Sequence, residues 1–462
     1  MAPNDVKRNQ DEMLLRMTTA PVGRLITRMA IPTIISMMIT AIYNMADTFF
    51  VSQLGTSASG AVGINFSIMT IIQALGFTIG MGSGSLTSRA LGAKDYEKAN
   101  LYCSSAIFFT FFTGTILGSV GLLFQKPLVT MLGATPTIQP YAEDYARYIL
   151  IGVPFMCTTF VMNNQLRFQG KATLSMVGLT LGGILNIVLD PLFIYVFRLG
   201  ISGAAIATLL SQCVSFSLLL SVFLRKKAVA VLSFSYLSRS LQTYKKIIKN
   251  GLPSLFRQGM ATTASILLNV AAGVYGDAAV AGMSITNRVF MFLMSIAIGI
   301  GQGFQPVCGM NFGAQNYKRV KEAFFFMIKA TGGVMTAFGL FFVIFAPQIV
   351  AAFRSDPDVI SVGGLAMRCQ CAALPFHALI FGTNMMLQTT GEARAATFLS
   401  SLRQGLYFIP LILILPHIIG ITGVQITQTI SDLLTSATSI PFAIAFFHKM
   451  NKLERMPSFD KR

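Results

Sequence analysis

A dozen stretches of roughly 20 or more mostly apolar residues, separated by short connections, run through the whole chain and constrain its fold more than any other feature. In lipid the backbone must satisfy its own hydrogen bonds, and a helix of about 20 residues does so while crossing the hydrocarbon core. The stretches lie at 25–53, 58–88, 100–124, 141–166, 171–197, 201–224, 251–275, 279–310, 323–347, 359–388, 393–417 and 421–447. With 53% hydrophobic and only 11% charged residues, the chain has too few polar side chains to cover a water-soluble globule of 462 residues. The expected fold class is therefore an all-α integral membrane protein of twelve transmembrane helices.

A net charge of +18 raises the question of nucleic acid. The basic residues instead sit in the first 24 residues (Lys7, Arg8, Arg16, Arg24), in every second loop (Arg89, Lys94, Lys98; Arg167, Lys171; Lys318, Arg319, Lys321; Arg394), in the segment from Arg225 to Lys249, and after Lys449. The intervening loops carry little beyond Lys126, Arg198 and Arg354. That asymmetry is the positive-inside pattern, which predicts cytoplasmic termini. No basic stripe carries the stacking aromatics that a nucleic-acid surface uses, so no nucleic-acid partner is expected. The opening residues are too polar for a cleavable signal peptide.

Chemistry on covalent or metal centres finds little support. All six cysteines lie in or beside apolar stretches, Cys369 and Cys371 do not have metal-ligand spacing, and His377, His417 and His448 are scattered. There is no glycine-rich phosphate loop, hence no nucleotide-hydrolysing motor in this chain. No nucleophile or acid-base constellation marks an enzyme, and no cofactor is expected.

The chain also repeats itself. At an offset of 221 residues Pro32 falls on Pro253, Gly55 on Gly276, Gly80 on Gly301, Gly82 on Gly303, Gly92 on Gly313, Tyr96 on Tyr317, Pro154 on Pro375, Asn163 on Asn384 and Gly170 on Gly391. After a slip of one, ISGAAIATLLSQ from Ile201 resembles ITGVQITQTISD from Ile421. Each half thus holds six helices in the same orientation, as in a parallel repeat whose substrate lies between the halves. The expected organisation is a cytoplasmic tail at 1–24, an amino-terminal lobe at 25–224, a basic linker at 225–250, a carboxyl-terminal lobe at 251–447 and a cytoplasmic tail at 448–462.

Three acidic residues fall well inside the apolar stretches: Asp47, Asp190 and Asp432. Each costs about 2.5–3.5 kcal/mol on insertion scales, so each asks for a reason. Asp47 lies toward the outer end of the first helix, Asn186 and Asp190 share one face of the fifth, and Thr208 comes to a similar depth on the sixth. Two carboxylates, an amide and a hydroxyl suit Na⁺, and a carboxyl crowded by another in lipid also suits H⁺. Asp432 follows the polar run Thr427, Gln428, Thr429 and Ser431, which points to bonding with a neighbouring helix. Arg257, Gln258 and Asn287 are polar points of the seventh and eighth helices and candidates to line a central cavity, as are Tyr43 and Asn44 in the first. The many methionines, Met37, Met38, Met45 and Met69 among them, suit varied apolar ligands.

IPTIISMMITAIYNMADTFFVSQLG in the first helix, GINFSIMTIIQALGFTIGMGSGSLTSRALGAKDYEKA through the second, GGILNIVLDPLFIY in the fifth, GISGAAIATLLSQ in the sixth and GQGFQPVCGMNFGAQNYKRVKEA in the second half resemble the multidrug and toxic compound extrusion (MATE) family. The resemblance runs from about Arg24 to His448 and lies closer to the branch of damage-inducible and Gram-positive multidrug exporters. It implies antiport, in which Na⁺ or H⁺ moving down its gradient drives amphiphilic organic cations outward. It further implies that Asp47, Asn186, Asp190 and Thr208 match the family's amino-lobe cation site, holding Na⁺ if the protein is sodium-coupled, and that Pro32 matches a proline about which the first helix bends. The other branch's carboxylate pair is not matched, since the seventh helix reads LPSLFRQGMATTAS and the tenth has no acid between Leu365 and Gln388. One chain with two lobes suffices as a transport unit, so the resemblance implies a monomer in membrane lipid that handles small drug-like molecules. The alternative is a flippase for lipid-linked saccharides, a function of relatives of this fold, with Arg257 and Arg288 meeting the pyrophosphate.

Overall fold

A computed structural model describes residues 3–455, which are predominantly helical, with no strand among them. In chain order the helices are α1 (Pro3–Thr19), α2 (Val22–Ser52), α3 (Thr56–Gly92), α4 (Tyr96–Leu123), α5 (Gln125–Met131), α6 (Gln139–Phe168), α7 (Ala172–Pro191), α8 (Gly200–Leu224), α9 (Leu241–Gly273), α10 (Asp277–Gly313), α11 (Tyr317–Ile344), α12 (Ala346–Phe353), α13 (Pro357–Ala372), α14 (His377–Thr390), α15 (Ala393–Ser401), α16 (Phe408–Ile419) and α17 (Ile421–Arg455). Leu192–Val196 after α7 and Leu402–Leu406 between α15 and α16 are wound as π-helix, and Leu374–Phe376 forms a 3-10 turn between α13 and α14. Of the expected tails, residues 3–19 form a helix and α17 continues to Arg455, while residues 456–462 lie outside the described part.

Eleven spans among the described residues are long and apolar enough to cross a membrane. The remaining expected span, 251–275, falls within α9, whose residues from Gly251 to Gly273 rise about 35 Å at 1.5 Å per residue. Its Arg257, Gln258, Thr262, Thr263 and Asn269 lower its hydropathy without shortening it.

The sequence repeat recurs in backbone detail, which chance similarity of apolar segments would not produce. Asp95 accepts from the Lys98 backbone N–H to cap α4, and Asn316 accepts from Arg319 N to cap α11. The residues just before those caps, Lys94 and Gln315, both take positive φ (60° and 58°). Asn65 donates to the carbonyls of Ala61 and Ala142, while Thr286 donates to those of Gly282 and Gly363. Asn163 ties α6 to Ser175 of α7, and Asn384 ties α14 to Ala396 and Ser400 of α15. All of these pairs stand 221 apart.

The chain divides into two compact units: residues up to Arg16 with Ile35–Gly251, and Met17–Ile34 with Leu252–Arg462. It changes unit inside α2, two residues after Pro32, and inside α9, one residue before Pro253. In the first unit α6 is the central helix, packed by α3, α4, α7 and α8; in the second, α10 and α14 take that place among α11, α13, α15 and α17. Glycine makes two of the closest approaches possible. A Cβ on Gly82 of α3 would lie 2.1 Å from the Ile247 carbonyl oxygen and 2.8 Å from Gly251 N in the first unit, and one on Gly303 of α10 would lie 2.6 Å from Ala30 N in the second. A Cβ on Gly251 itself would sit 1.9 Å from the Thr78 carbonyl oxygen. Gly251→Ala is therefore expected to destabilise by about 1–3 kcal/mol through overpacking, outweighing the ~1 kcal/mol that alanine gains in a helix. Thermal unfolding in detergent checks this, with Gly63→Ala in α3, which meets nothing within 4 Å, as the control that is not destabilised.

Candidate functional site

Two glycines in α7 decide what can approach it. A Cβ on Gly182 would lie 1.8 Å from Ser215 Oγ of α8, and one on Gly183 would lie 3.0 Å from Ile39 and 3.3 Å from Tyr43 of α2. With neither Cβ present, α2 and α8 close on adjoining sides of α7, since consecutive residues of a helix point about 100° apart. About one to two turns further along, this brings Asp47 and Thr208 to the face that carries Asn186 and Asp190. The site is built entirely within the first unit.

All four side chains are buried there. Asn186 Nδ2 donates to Asp190 Oδ1 at 3.2 Å and to Thr208 Oγ1 at 3.3 Å, so the amide joins α7 to α8. Tyr145 of α6 donates its hydroxyl to Asp47 Oδ2 at 3.4 Å, and Asp190 lies within electrostatic reach of Asp47. Asp47 Oδ1, Asn186 Oδ1 and Asp190 Oδ2 are left buried with no hydrogen-bond partner. Three acceptor oxygens without a donor, two of them carboxylate, make a pocket short of positive charge. Unpaired, such groups cost several kcal/mol, and a hard monovalent cation or a proton would supply what they lack. Pro191, next to Asp190, has no N–H to give the Ile187 carbonyl, and the helix leaves α geometry at Leu192.

Tyr145 is a site residue that the sequence did not disclose. It is one tyrosine in a long apolar helix, and only the packing of α6 brings it to Asp47. Tyr145→Phe removes one long hydrogen bond and no charge, so a loss of about 1 kcal/mol, roughly fivefold in apparent ion affinity, is expected in an ion-dependence assay of transport.

Tyr43 and Asn44 stand half-buried on α2 beside this site, with Tyr43 against Gly183 and within electrostatic reach of Asp47 and Asp190. Arg257, Gln258 and Asn287 are half-buried on α9 and α10 of the second unit and are not brought together by any side-chain hydrogen bond; Arg257 Nη1 is buried without a partner. Asp432 Oδ1 accepts from Arg403 Nε of the neighbouring π segment and, within α17 itself, from Gln428 Nε2, each at 2.8 Å. Its partners His377 and Arg403 went unnoticed in the sequence, where they are far apart and lie on other helices.

Six helices repeated once, with ionisable side chains set inside a lobe, define the class: a multi-pass membrane protein of duplicated transporter architecture. Comparison with known proteins makes this particular. The MatE family model matches residues 32–192 and again 253–414, two matches that begin 221 residues apart, and the chain belongs to this family of multidrug efflux transporters. The multidrug export protein MepA of Staphylococcus haemolyticus is 26% identical over 438 residues, 95% of each chain. An outward-facing multidrug resistance MATE family transporter of the MOP superfamily superposes with a TM-score of 0.90 at 28% identity, over 95% of this chain and 98% of the other. A MATE crystal structure in the bent conformation gives 0.90 and 28%, over 96% and 99%. These neighbours share the two-lobed fold of twelve helices expected from the sequence.

Proposed function

We propose that this protein is a secondary antiporter that exports cytoplasmic amphiphilic organic cations in exchange for Na⁺ or H⁺, with Asp47, Asn186, Asp190 and Thr208 as the ion site. The observation that carries this reading is the trio of buried, unpartnered oxygens on Asp47, Asn186 and Asp190. A site short of one positive charge binds a cation, and binding becomes coupling when the ion and the drug favour different states of the protein. That Staphylococcus relatives are named multidrug export proteins supports the substrate class. In this reading Tyr43 and Asn44, half-buried beside the ion site, contact the substrate from the first unit. Pro32 serves as the hinge, since the chain changes unit two residues beyond it. The basic alternate loops place both termini in the cytoplasm, and a single chain in the bilayer is the working unit.

Inside-out vesicles containing the protein, loaded with Na⁺ and pH gradients imposed separately, test the proposal by uptake of a fluorescent organic cation. Uptake driven by one of the gradients is the expected result and names the ion. A varied set of cations that accumulate under neither gradient, in vesicles of folded protein, would refute it.

A further inference from the structure

The two halves share a frame, yet they part at three places that converge on one spot of the second unit. Pro154 lies inside the unbroken α6, whereas its equivalent Pro375 lies in the 3-10 turn that separates α13 from α14 and makes His377 the first residue of α14. The two π segments fall at non-equivalent places, and the second contains Arg403 where the first half has Gly182 and Gly183. Met156 stands where His377 does, and Gln212 where Asp432 does. Breaks in α geometry of this kind gather at functional sites.

The cluster they build is closed. His377 and Asp432 have no exposed side-chain surface, and Arg403 has 12%. Arg403 lies over the rings of Phe290 and Phe381 at 5.7 and 5.9 Å, and Phe290 meets the imidazole edge-on. His377 Nδ1 lies 3.1 Å from the Ala373 carbonyl oxygen. A carbonyl only accepts, so Nδ1 carries the hydrogen. The other ring nitrogen, Nε2, lies 3.2 Å from Asp432 Oδ2 in ion-pair contact, off the line of a hydrogen bond, which leaves both atoms otherwise without a partner. In a neutral ring with hydrogen on Nδ1, Nε2 would present a lone pair to a carboxylate oxygen in a dry site. A proton on Nε2 turns that repulsion into attraction.

We propose that His377, with Asp432 and Arg403, forms a second proton-binding site, confined to the second unit, that exchanges one proton with water as the transporter works. The inference rests on the antiporter reading above. Arg403 and Gln428 both donate to the Asp432 carboxylate at Oδ1. Arg403 and Asp432 cancel in charge, so uptake of a proton from water at Nε2 takes the cluster from zero to one positive charge. The charged or titratable groups facing the imidazole are Asp432 from α17 and, across that carboxylate, Arg403; α10 and α14 present phenylalanine, and α11 presents Gly332 against Ala378. Arg403 is the member of the cluster with exposed side-chain surface, so water comes nearest to the cluster there. Loss of the proton removes the attraction that ties α14 to α17.

The chain has three histidines, so ¹⁵N-imidazole NMR of the full protein in nanodiscs resolves them, with His417→Gln and His448→Gln assigning the other two. The expected spectrum shows His377 with Nδ1 protonated at every pH, Nε2 passing between protonated and bare as pH rises, and the midpoint shifting when ethidium is added. A ring that keeps one protonation state across the titration, one that holds its single hydrogen on Nε2, or a midpoint indifferent to ethidium would each overturn the inference. Gradient-driven ethidium uptake by the same preparation separates the two readings: uptake with an inert His377 removes this site alone, and no uptake removes the antiporter as well.

Discussion

Asp47→Asn and Asp190→Asn are each expected to reduce ion-driven drug export by at least about 30-fold while leaving the protein inserted and folded. The figure is ~2 kcal/mol, the low end of what removing one charge from a buried, partnered set costs in affinity. Both oxygens left unpartnered on the carboxylates, Asp47 Oδ1 and Asp190 Oδ2, belong to the groups replaced. Asparagine preserves shape but replaces one acceptor oxygen by a donor amide and removes the charge that binds the ion. The two substitutions act on one site, so the double variant should lose little more than either single one. Efflux of a fluorescent cation from cells, set against membrane expression of each variant, reads this out. Export equal to the parent's in both single variants would remove the ion site from the first lobe.

The largest effect on stability is expected at Asp432→Ala, a loss of about 3–5 kcal/mol. Removing one partner of a buried ion pair strands the other, and here Arg403 would lose its carboxylate contact among the described residues while staying largely enclosed. His377 would lose the same partner. Thermal unfolding in detergent measures the loss directly. The half-exposed pair of Lys321 and Glu454, 3.2 Å apart, provides the contrast, since cutting it should cost less than about 1 kcal/mol. A loss of that smaller size at Asp432 would mean that water reaches the cluster freely.

Much of the architecture was legible in the chain because lipid leaves few choices. Once water is absent, apolar length alone predicts helices, and constant spacing of Pro32 and Pro253, Gly82 and Gly303, and Asn163 and Asn384 predicts the duplication. The spacing could not show that residues 17–34 group with the second half, because nothing in a continuous apolar helix says which neighbours its two ends find. Within the candidate site, Asn186 and Asp190 were readable as one face because they stand four apart on one helix. Tyr145 was not, since its contact with Asp47 spans 98 positions. The cluster of the second lobe was hidden for the same reason: His377, Arg403 and Asp432 come from three helices, and their meeting depends on a 3-10 turn and a π segment that no periodicity marks. A lone histidine and a lone arginine in sequence became an ion-pair network only through these departures from regular helix.

The central claim is that drug and cation compete through the oxygens of the first lobe, and the most direct measurement is equilibrium binding of one fluorescent organic cation to the purified protein across Na⁺ concentrations and pH. Linkage requires that an ion which expels the drug be expelled by it to the same extent. The account predicts that drug affinity falls as one of the two ions saturates and that Asp47→Asn with Asp190→Asn abolishes the dependence. Drug affinity that is the same at every Na⁺ concentration and pH, or a dependence that survives both substitutions, would contradict it.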